Sequence, residues 1–291
     1  MDIKPVLKYP GSKWNLARWI CSYMPPHRVY LEPFFGSGAV FFTKDPARIE
    51  TINDLDGHVI NLFRVLRERS EELVRLIELT PWSRQEWQDL LTSASADDYY
   101  VVSGDPVEDA RRLLVRMWMG RGSKTSDRTG WRFNIQSKVG TAAMRVWQGL
   151  PDRILQAARR LKDAQIDCRP ALEVIGQYHY PEVLIYADPP YVMGTRGTRW
   201  AKRQYKFEMS EAEHLALLDA LDAHPGPVLL SGYASKLYDE RLAHWLERGG
   251  RLIKDTIAEG GRWREEVLWL NPKAMKQLGL IGFGLGEAFG R

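Results

Sequence analysis

Residues 183–191 read Val183-Leu184-Ile185-Tyr186-Ala187-Asp188-Pro189-Pro190-Tyr191. The first five form an apolar run, which is typical of a strand buried on both faces of a parallel sheet. The run ends in a carboxylate and two prolines, so a rigid polar loop follows the strand directly. Ligands of α/β proteins bind at the carboxyl edge of the sheet, where such a loop would lie. The pattern predicts an α/β fold with a binding site at Asp188.

The loop of residues 188–191 places two hydrogen-bond acceptors beside an aromatic ring. One acceptor is the Asp188 carboxylate. The other is the Pro189 carbonyl, which is held at a set angle because proline fixes φ and has no N–H. Pro190 extends the rigid segment, and Tyr191 supplies the ring. The alternative is an ordinary strand end with a Pro-Pro turn, but the combination favours binding of a planar heterocycle that carries an amino group.

Such a loop suits chemistry at the exocyclic nitrogen of adenine. That nitrogen is a poor nucleophile because its lone pair is delocalised into the ring. Two acceptors that draw its hydrogens out of the ring plane favour a tetrahedral nitrogen and return the lone pair to it. The rest of the catalysis is in-line positioning and stabilisation of the positive charge that grows on nitrogen. The loop therefore predicts an amino-methyltransferase that uses S-adenosylmethionine.

A second motif, near the N-terminus, predicts the cofactor site. A short strand signal at residues 29–31 leads into Glu32-Pro33-Phe34-Phe35-Gly36-Ser37-Gly38, and an apolar stretch follows. Glycines let the turn approach a ligand, and the following helix points N–H groups at it. The next strand ends at Asp54, and an acidic residue about twenty positions after a glycine turn suits ribose hydroxyls. A lone Gly-x-Gly turn is a weak signal, so the site depends on the combination.

The segment at residues 7–14 joins an aromatic residue, a tight turn and two lysines. Tyr9 could lie against the adenine or the sulfonium of the cofactor, and Lys13 could pair with its carboxylate. Taken alone, the pattern favours an ordinary loop. The assignment therefore depends on the two other motifs.

Together these motifs resemble the Dam-like, D12-class family of DNA N6-adenine methyltransferases. The resemblance covers most of the chain and rests on the following segments: residues 8–13, 32–38, 53–56, 188–191 and 229–233, with Tyr238, Arg196, Tyr205, Phe207, Glu208 and His214 at matching spacings. The glycine turn comes first, then a long insertion, then Asp-Pro-Pro-Tyr. This order is that of the group whose recognition domain lies between the two motifs.

The resemblance implies an α/β, Rossmann-like S-adenosylmethionine-dependent methyltransferase sheet with an inserted, mainly helical target-recognition domain. The sheet is expected to be mostly parallel and seven-stranded. Residues 1–56 and 147–291 would form the catalytic domain, and residues 57–146 the recognition domain. The catalytic residues would be Asp188, Pro189, Pro190 and Tyr191. The cofactor-binding residues would be Tyr9, Lys13, Glu32, Phe34, Gly36, Ser37, Gly38, Asp54 and Asp188.

One position departs from the family pattern. The family often has an acidic residue that contacts the adenine of the cofactor, in a run similar to Asn-x-Asp-Ala-Leu-Glu. The corresponding run here is Cys168-Arg169-Pro170-Ala171-Leu172-Glu173. The Pro170 side chain cannot make that contact, so the motif does not identify the residue that recognises the base of the cofactor.

The segment between the two motif blocks has a different character. Residues 59–79 carry apolar side chains at helical spacing, and further helices are predicted at 84–95 and 107–119. Residues 120–134 are rich in Gly, Ser, Thr and basic residues and end in alternating aromatic and polar side chains. This pattern predicts a β-hairpin or a mobile loop with a basic tip. Alone it is typical of a solvated surface loop; beside the methyltransferase motifs it favours contact with DNA.

A second basic stretch, residues 193–206, follows the Asp-Pro-Pro-Tyr loop. It could close over a flipped nucleotide or bind its phosphates. Ser210 and Glu213 predict a helix that begins with a capping box. The histidines His214 and His224 are interpreted as surface residues. The DNA-contacting candidates of the whole chain are Lys8, Arg121, Lys124, Arg128, Arg132, Asn134 and Arg196.

The remaining elements follow from local patterns. Residues 147–161 are predicted to form a helix, and residues 227–231 and 251–256 strands. Residues 265–270 are predicted to close the sheet as an antiparallel strand. The glycine-rich residues 279–291 are expected to be loosely held.

The composition of the chain is consistent with a DNA-binding enzyme and indicates the cellular compartment in which it works. The chain has 291 residues, 44% hydrophobic, with a formal net charge of +4 and a pI near 9.0, which favours an anionic partner. Its two cysteines indicate neither a disulfide framework nor a metal site, which suits a reducing cytoplasm. No signal peptide or long apolar run indicates export or membrane insertion. We expect a bacterial, phage or prophage protein of the cytoplasm that binds double-stranded DNA without a metal, as a monomer or a homodimer.

The resulting interpretation is a site-specific methyltransferase that acts on N6 of an adenine flipped out of duplex DNA. Two alternatives stay open. One is methylation of another planar amine, such as cytosine N4, RNA adenine or a glutamine amide, although Asp rather than Ser or Asn at position 188 counts against cytosine and glutamine. The other is a DNA-binding protein on the same fold without turnover, which only Pro170 supports. The sequence specifies neither the recognition site nor membership of a restriction-modification system.

Overall fold

The computed structural model describes residues 3–91, 100–121, 125, 130–133, 142–193, 205–257 and 263–280. Within these residues the sheet has seven strands, β1 (Val29–Glu32), β2 (Ile49–Asn53), β3 (Gln165–Asp167), β4 (Val183–Ala187), β5 (Val228–Tyr233), β6 (Arg251–Ile257) and β7 (Trp263–Leu270). Their order across the sheet is β3-β2-β1-β4-β5-β7-β6. The first five strands pair in parallel, and β7 runs antiparallel between β5 and β6. The α/β, Rossmann-like fold predicted from the sequence is confirmed.

Helices surround the sheet. In the described part of the chain they are α1 (Ala17–Cys21), α2 (Ala39–Thr43), α3 (Gly57–Glu68), α4 (Ser70–Leu79), α5 (Arg84–Asp89), α6 (Pro106–Met119), α7 (Ala142–Gln148), α8 (Leu150–Leu161), α9 (Ala171–Gln177), α10 (Glu211–Ala223), α11 (Lys236–Arg241), α12 (Ala243–Leu246) and α13 (Pro272–Gln277). Helix α10 begins with the predicted capping box of Ser210 and Glu213.

The direction of the strand order reverses between β1 and β4. Going one way from β1, the chain builds β2 and then β3; going the other way, β4 is followed by β5. Because Leu31 of β1 lies opposite Ile185 of β4, the glycine turn after β1 and the Asp-Pro-Pro-Tyr loop after β4 leave the sheet side by side. Ligands of open α/β sheets bind at such a reversal. The fold thus brings together two motifs that are far apart in sequence.

Both faces of the sheet are covered, which explains the near-continuous apolar character of β4, all five of whose residues are buried. Alternate side chains, such as Leu184 and Tyr186, join the core formed with α2, α3, α6 and α8. The intervening Ile185 and Ala187 join the core formed with α9 and α10. Core residues therefore pack on both faces of β4, the strand that ends just before Asp188.

The inserted segment shares its core with the sheet. Apolar residues of α3, α4 and α6 belong to the same cluster as Tyr30 and Leu184. The indole of Trp118 in α6 donates a hydrogen bond of 2.9 Å to the Val6 carbonyl, and that of Trp147 donates one of 3.1 Å to the Thr80 carbonyl. The division into residues 57–146 and the remainder is therefore a proposal about function, because these helices also stabilise the sheet.

Several predicted boundaries are wrong. The single helix expected from Val59 to Leu79 is two helices, α3 and α4, because Arg69 leaves the helical region at φ −138° and ψ 37° and its guanidinium turns to Glu72. The helix expected at 84–95 ends at Asp89; its last expected residues lie in 92–99, outside the described residues. The helix expected at 147–161 is divided, since α7 ends at Gln148 and α8 begins at Leu150, with a proline in its first turn.

The predicted exposure of His214 and His224 is also wrong, since both are fully buried. The Tyr238 hydroxyl and His214 Nδ1 lie 2.8 Å apart, and His224 Nε2 lies 2.9 Å from the Val183 carbonyl. Each of these bonds gives one nitrogen of the ring a hydrogen-bond partner in place of water. The sequence interpretation failed because both partners are distant in the chain.

The other predicted elements stand. The strands expected at 227–231, 251–256 and 265–270 and the helix expected at 107–119 are present with small changes at their ends. No helix in the described ranges is long and apolar enough to cross a membrane.

Candidate active site

A cleft lies at the carboxyl ends of β1, β2 and β4. Its volume is about 1170 Å³, counted with the solvent at its mouth. Among the residues predicted from the sequence, its lining includes Tyr9, Lys13, Glu32, Phe34, Gly36, Ser37, Asp54, Asp188 and Pro190. Gly38, Pro189 and Tyr191 are buried outside that lining. The fold thus brings most of the predicted cofactor residues and Asp188 to one cavity.

The glycine turn takes a conformation that only glycine adopts readily. Gly38 has a φ of 67°, and a Cβ there would come within 2.4 Å of the Phe35 ring. Glycine is therefore required both by the backbone angle and by the space. The Ser37 hydroxyl lies 2.8 Å from that of Ser12, so the N-terminal segment is tied to this turn.

Asp54 holds the glycine turn from the neighbouring strand. One carboxylate oxygen accepts the Gly36 N–H at 2.7 Å, and the other accepts the Asp56 N–H at 2.9 Å. Desolvation in the cleft raises the pKa of the Asp54 carboxyl to about 7, and the charge of Asp56 adds to that effect. A third backbone hydrogen bond comes from Leu55, so about one lone-pair position of the carboxylate is left to accept a hydroxyl group of a ligand.

Asn53, which no motif singled out for a role, is fully buried and joins two walls of the cleft. Its side-chain amide donates to the carbonyls of Pro33 and Arg169, each at 3.0 Å. Its carbonyl oxygen accepts the Arg169 N–H at 2.9 Å. The loop that carries Pro170, where the family pattern is broken, is therefore fixed against the glycine turn. Pro170 and Leu172 line the cleft, so this part of its wall is apolar.

Glu32 forms a buried acidic part of the lining at the end of β1. The Tyr30 hydroxyl donates to it at 2.7 Å. Burial raises the pKa of the Glu32 carboxyl to about 8. Its charge state is therefore sensitive to what occupies the cleft.

Asp188 is paired with Lys13, which the sequence interpretation had placed against the cofactor carboxylate. The Lys13 ammonium lies 2.8 Å and 2.9 Å from the two carboxylate oxygens, and it also donates to the Gly11 carbonyl at 3.0 Å. The Ser231 hydroxyl donates to Asp188 Oδ1 at 2.9 Å. The Asp188 side chain keeps 18% of its surface exposed. The carboxylate is thus fixed in direction and still open to the cleft.

Tyr191 is held by a residue that sequence reasoning missed. Its hydroxyl donates to Glu266, a residue of β7 that is only 4% exposed. The Lys13 ammonium lies 3.4 Å from the Glu266 carboxylate and 4.7 Å from the centre of the Tyr191 ring. The edge of Tyr191 packs on Tyr233, with ring centres 4.4 Å apart. The four groups Asp188, Lys13, Glu266 and Tyr191 therefore form one connected cluster.

Residues 205–209, which follow the Asp-Pro-Pro-Tyr loop in the chain, contribute to the lining of the cleft. The Tyr205 ring lies 6.1 Å from that of Tyr9, and its hydroxyl donates to the Pro10 carbonyl at 3.3 Å. Phe207 and Glu208 also line the cavity. The described end of this segment touches the insertion, because the Lys206 N–H donates to the Thr125 hydroxyl at 2.9 Å.

The base of the predicted basic hairpin is present. Gly120 and Trp131 form an antiparallel bridge, and the N–H of Arg132 donates to the Met119 carbonyl at 2.7 Å. The Trp131 and Phe133 rings stack with centres 5.7 Å apart. Arg121 is exposed and Arg132 partly so, as is Lys8 beside the cleft. Lys124, Arg128, Asn134 and Arg196 lie outside the described residues.

Side chains that could bind a metal ion were sought among the same residues. In the described ranges, no group of three or more His, Cys, Asp or Glu side chains has an arrangement that could hold an ion.

The strand order and the cleft define an α/β protein with a cavity that contains Asp188 and the glycine turn. The chain belongs to the D12 class N6 adenine-specific DNA methyltransferase family, whose model matches residues 9–251. Family membership makes the protein an enzyme of adenine-specific DNA methylation, and S-adenosyl-L-methionine is the cofactor of that methyl transfer.

Individual relatives are distant. The DNA adenine methylase of Escherichia coli (strain K12) is 23% identical over 276 residues, which cover 90% of this chain and 91% of that protein. The type II methyltransferase M1.LlaDCHI of Lactococcus lactis subsp. cremoris is 33% identical over 78 residues, 26% of this chain and 27% of that protein. Among solved structures, one that matches is SMU.1697c, a putative methyltransferase from Streptococcus mutans in complex with SAH. The match covers 89% of this chain and 98% of that chain, with 7% sequence identity and a TM-score of 0.35. The fold assignment rests on the strand order and not on that likeness.

Proposed function

We propose that this protein transfers a methyl group from S-adenosyl-L-methionine to N6 of an adenine flipped out of double-stranded DNA, at a specific recognition sequence. The observation that supports this most strongly is the position of Asp188 in the same cleft as the glycine turn and Asp54. One cavity can then hold the methyl donor and receive the amine that accepts the methyl group. The base must leave the duplex, because a stacked base cannot bring its amino group into that cavity.

The cleft offers groups that suit the parts of the cofactor. Asp54, with about one lone-pair position left after three backbone hydrogen bonds, would accept a ribose hydroxyl. The apolar wall at Pro170 and Leu172 would pack on the adenine ring, in place of the acidic contact found in much of the family. Tyr9, Phe34, Ser37 and the glycines Gly36 and Gly38 would shape the remaining wall, with Glu32 at its acidic end. When bound, the cofactor supplies an electrophilic methyl group.

Asp188 would orient the adenine amine. A carboxylate has about four lone-pair positions. Two hydrogen bonds from Lys13 and one from Ser231 leave about one position for an N–H of the base. The Pro189 carbonyl would accept the second hydrogen, with Pro190 keeping the loop rigid. After transfer, Asp188 would receive the proton that the methylated nitrogen loses.

Tyr191 would stack on the flipped base. Its hydroxyl is held by Glu266 and its edge by Tyr233, so the direction of its ring is set before the base arrives. Base–aromatic stacking contributes about 1–3 kcal/mol per base. A ring with a set direction gains this energy at little cost in conformational entropy.

The insertion would recognise the target sequence. Arg121 and Arg132 stand at the base of the basic loop, which also carries Lys124, Arg128 and Asn134. Together with Lys8 and Arg196, these residues would contact phosphates or base edges. In this proposal residues 57–146 serve recognition, and residues 1–56 and 147–291 serve catalysis. The setting would be the bacterial cytoplasm, where a site-specific enzyme of this kind can act in restriction-modification.

Methylation-aware sequencing tests the proposal. The protein is expressed in a host that lacks DNA methylation, and its genomic DNA is sequenced. We expect N6-methyladenine at one recurring sequence, with no mark when Asp188→Ala is expressed at the same level. A mark on cytosine N4, or unmarked DNA together with methylated RNA, would contradict the proposal and favour the other planar amines. No transfer at all by a folded, cofactor-binding protein would favour a DNA-binding protein without turnover.

A further inference from the structure

Glu266 is a buried carboxylate that holds the Tyr191 hydroxyl, but its charge has no role in the function proposed above. It lies on β7 in register with Tyr233 of β5 and Lys254 of β6, beyond the residues that the family model matches. The next four residues of β7 are apolar or aromatic and fully buried. An isolated carboxylate at such a position destabilises the fold, and an apolar residue of similar size often serves packing better. The presence of a charged group there calls for a reason other than packing.

The contacts of Glu266 suggest that reason. It accepts a hydrogen bond from the Tyr191 hydroxyl and faces the Lys13 ammonium at 3.4 Å. Lys13 in turn contacts both oxygens of Asp188. Glu266 therefore touches the two side chains that flank the proposed amine site without touching the site itself.

The charge of the cluster matters for the reaction. Lys13 alone would neutralise Asp188 and place a positive charge beside a nitrogen that becomes positive during transfer, which opposes the reaction. Glu266 lies 3.4 Å from the same ammonium, and when it is ionised the three groups carry one net negative charge. Burial raises the pKa of Glu266, and the charge of Lys13 opposes that rise. Burial acts to lower the pKa of the Lys13 ammonium, but Asp188 and Glu266 outweigh it and raise that pKa above its usual value. Lys13 therefore stays charged and keeps both carboxylates in place.

We propose that Glu266 is a positioning residue for methyl transfer, which balances the charge of Lys13 behind Asp188 and holds Tyr191 in its stacking direction. The inference rests on the function proposed above. It assigns Glu266 an effect on the transfer step and none on binding of the cofactor. It also predicts that the effect passes through Lys13.

The test is Glu266→Gln, which keeps the size and the hydrogen-bonding capacity of the side chain but removes its charge. Single-turnover transfer should fall by about 10²-fold, the order of loss caused by a small misplacement near the reacting atoms. The KM for the cofactor should stay within about twofold of wild type, since Glu266 does not line the cleft. Glu266→Asp, which keeps the charge, should recover a large part of the rate.

A neighbouring residue supplies the matched control. Glu265 is exposed on the same strand, so Glu265→Gln makes the same chemical change on the other face of the sheet. It should leave the transfer rate unchanged. Thermal melting of all variants separates loss of rate from loss of fold.

A double-mutant experiment with Lys13→Met tests whether Glu266 acts on the reaction through Lys13. In Lys13→Met, adding Glu266→Gln should cost nothing or restore activity, because the ammonium that Glu266 balances is gone. An equal loss in both backgrounds would overturn the proposed route, and a folded Glu266→Gln with wild-type rate would overturn the inference altogether. If the wild-type protein transfers no methyl group to adenine, the proposed function fails first and this inference fails with it, so the two failures are distinguishable.

Discussion

At the scale of single residues, Asp54 stabilises the glycine turn and is also proposed to bind the cofactor. Its carboxylate bonds the Gly36 and Asp56 N–H groups and faces the cleft. The ordinary pKa of an aspartate carboxyl is 3.8, and here it is raised to about 7. In the free protein this carboxyl contributes to stability below its unfolded pKa, and that contribution is lost as the pH rises through about 7. Ionisation is thus disfavoured until a partner for the charge arrives.

Cofactor binding should therefore depend on pH. The ionised carboxylate is the better acceptor for ribose hydroxyls, so lowering the pH from 8 to 6 should weaken binding by about tenfold. Asp54→Ala should lose roughly 1.5–3 kcal/mol of affinity at pH 8 and should lack the extra pH dependence. Calorimetry with S-adenosyl-L-methionine measures both. Titration of the cofactor itself affects both proteins equally, so identical pH profiles would refute the role given to Asp54.

At the scale of elements, an ionic network joins the C-terminal end of α2, strand β2 and helix α8. The Glu50 carboxylate contacts the Lys44 ammonium at 2.5 Å and one Arg160 nitrogen at 2.8 Å. Arg160 also lies over the Phe41 ring, 3.8 Å from its centre. Burial acts to raise the pKa of Glu50, but the bonds from Arg160 and Lys44 outweigh it and lower that pKa.

Replacing Glu50 with glutamine should destabilise the fold by roughly 3–5 kcal/mol at pH 7, because two buried cations lose their partner. Since the pKa of Glu50 is depressed in the folded state, its contribution is present above the unfolded value and is lost as the pH falls through the folded one. Urea unfolding at pH 7 and at pH 3 should show a large difference between the proteins at pH 7 and a smaller one at pH 3.

The exposed pair Lys236–Glu240, 3.4 Å apart, provides the control for this measurement. Glu240→Gln should change the free energy of unfolding by less than about 1 kcal/mol at either pH. Equal effects of the two substitutions would show that the buried network does not stabilise the sheet.

The limits of the sequence interpretation are clearest at this scale. The β4 strand and the loop after it were predictable because an apolar run and two prolines are local signals. The break at Arg69 was not, because arginine is a good helix former and its turn towards Glu72 leaves no mark in the hydrophobic spacing. Glu266 and the pairing of Lys13 with Asp188 were not predictable either, because no local pattern records contacts between residues so far apart in the chain.

At the scale of the whole molecule, the insertion and the cleft are in physical contact. Thr125 of the basic loop is buried and accepts the Lys206 N–H. It also forms a side-chain hydrogen bond with Tyr9 in the cleft wall. The loop proposed to contact DNA is thus linked to both the cofactor wall and the segment that follows the catalytic residues.

The basic loop is expected to bind phosphates. Replacing Lys124 and Arg128 with alanine should weaken binding to every duplex at low salt and should flatten the log–log salt dependence by up to about 2, since each lost phosphate contact removes about 0.9. We assign phosphate contact to Lys124, whose ammonium is a flexible point charge; Arg128 suits either a phosphate or a guanine edge. Fluorescence anisotropy on specific and scrambled duplexes, with the cofactor product present, measures affinity and slope.

Selective loss on the preferred site alone, about 1–3 kcal/mol, would instead indicate that Arg128 reads a base edge. If the double variant keeps both affinity and slope on every duplex, the loop is a solvated surface feature.

The central claim is that Asp188 activates an adenine amine in the same cleft that holds the methyl donor. Its most direct test is single-turnover methyl transfer by Asp188→Ala on duplex DNA, with N6-methyladenine quantified by mass spectrometry and cofactor affinity measured by calorimetry. We predict no detectable transfer and nearly normal cofactor affinity, because the amine stays conjugated while the rest of the cofactor site is intact. Transfer by Asp188→Ala within tenfold of wild type would contradict the account.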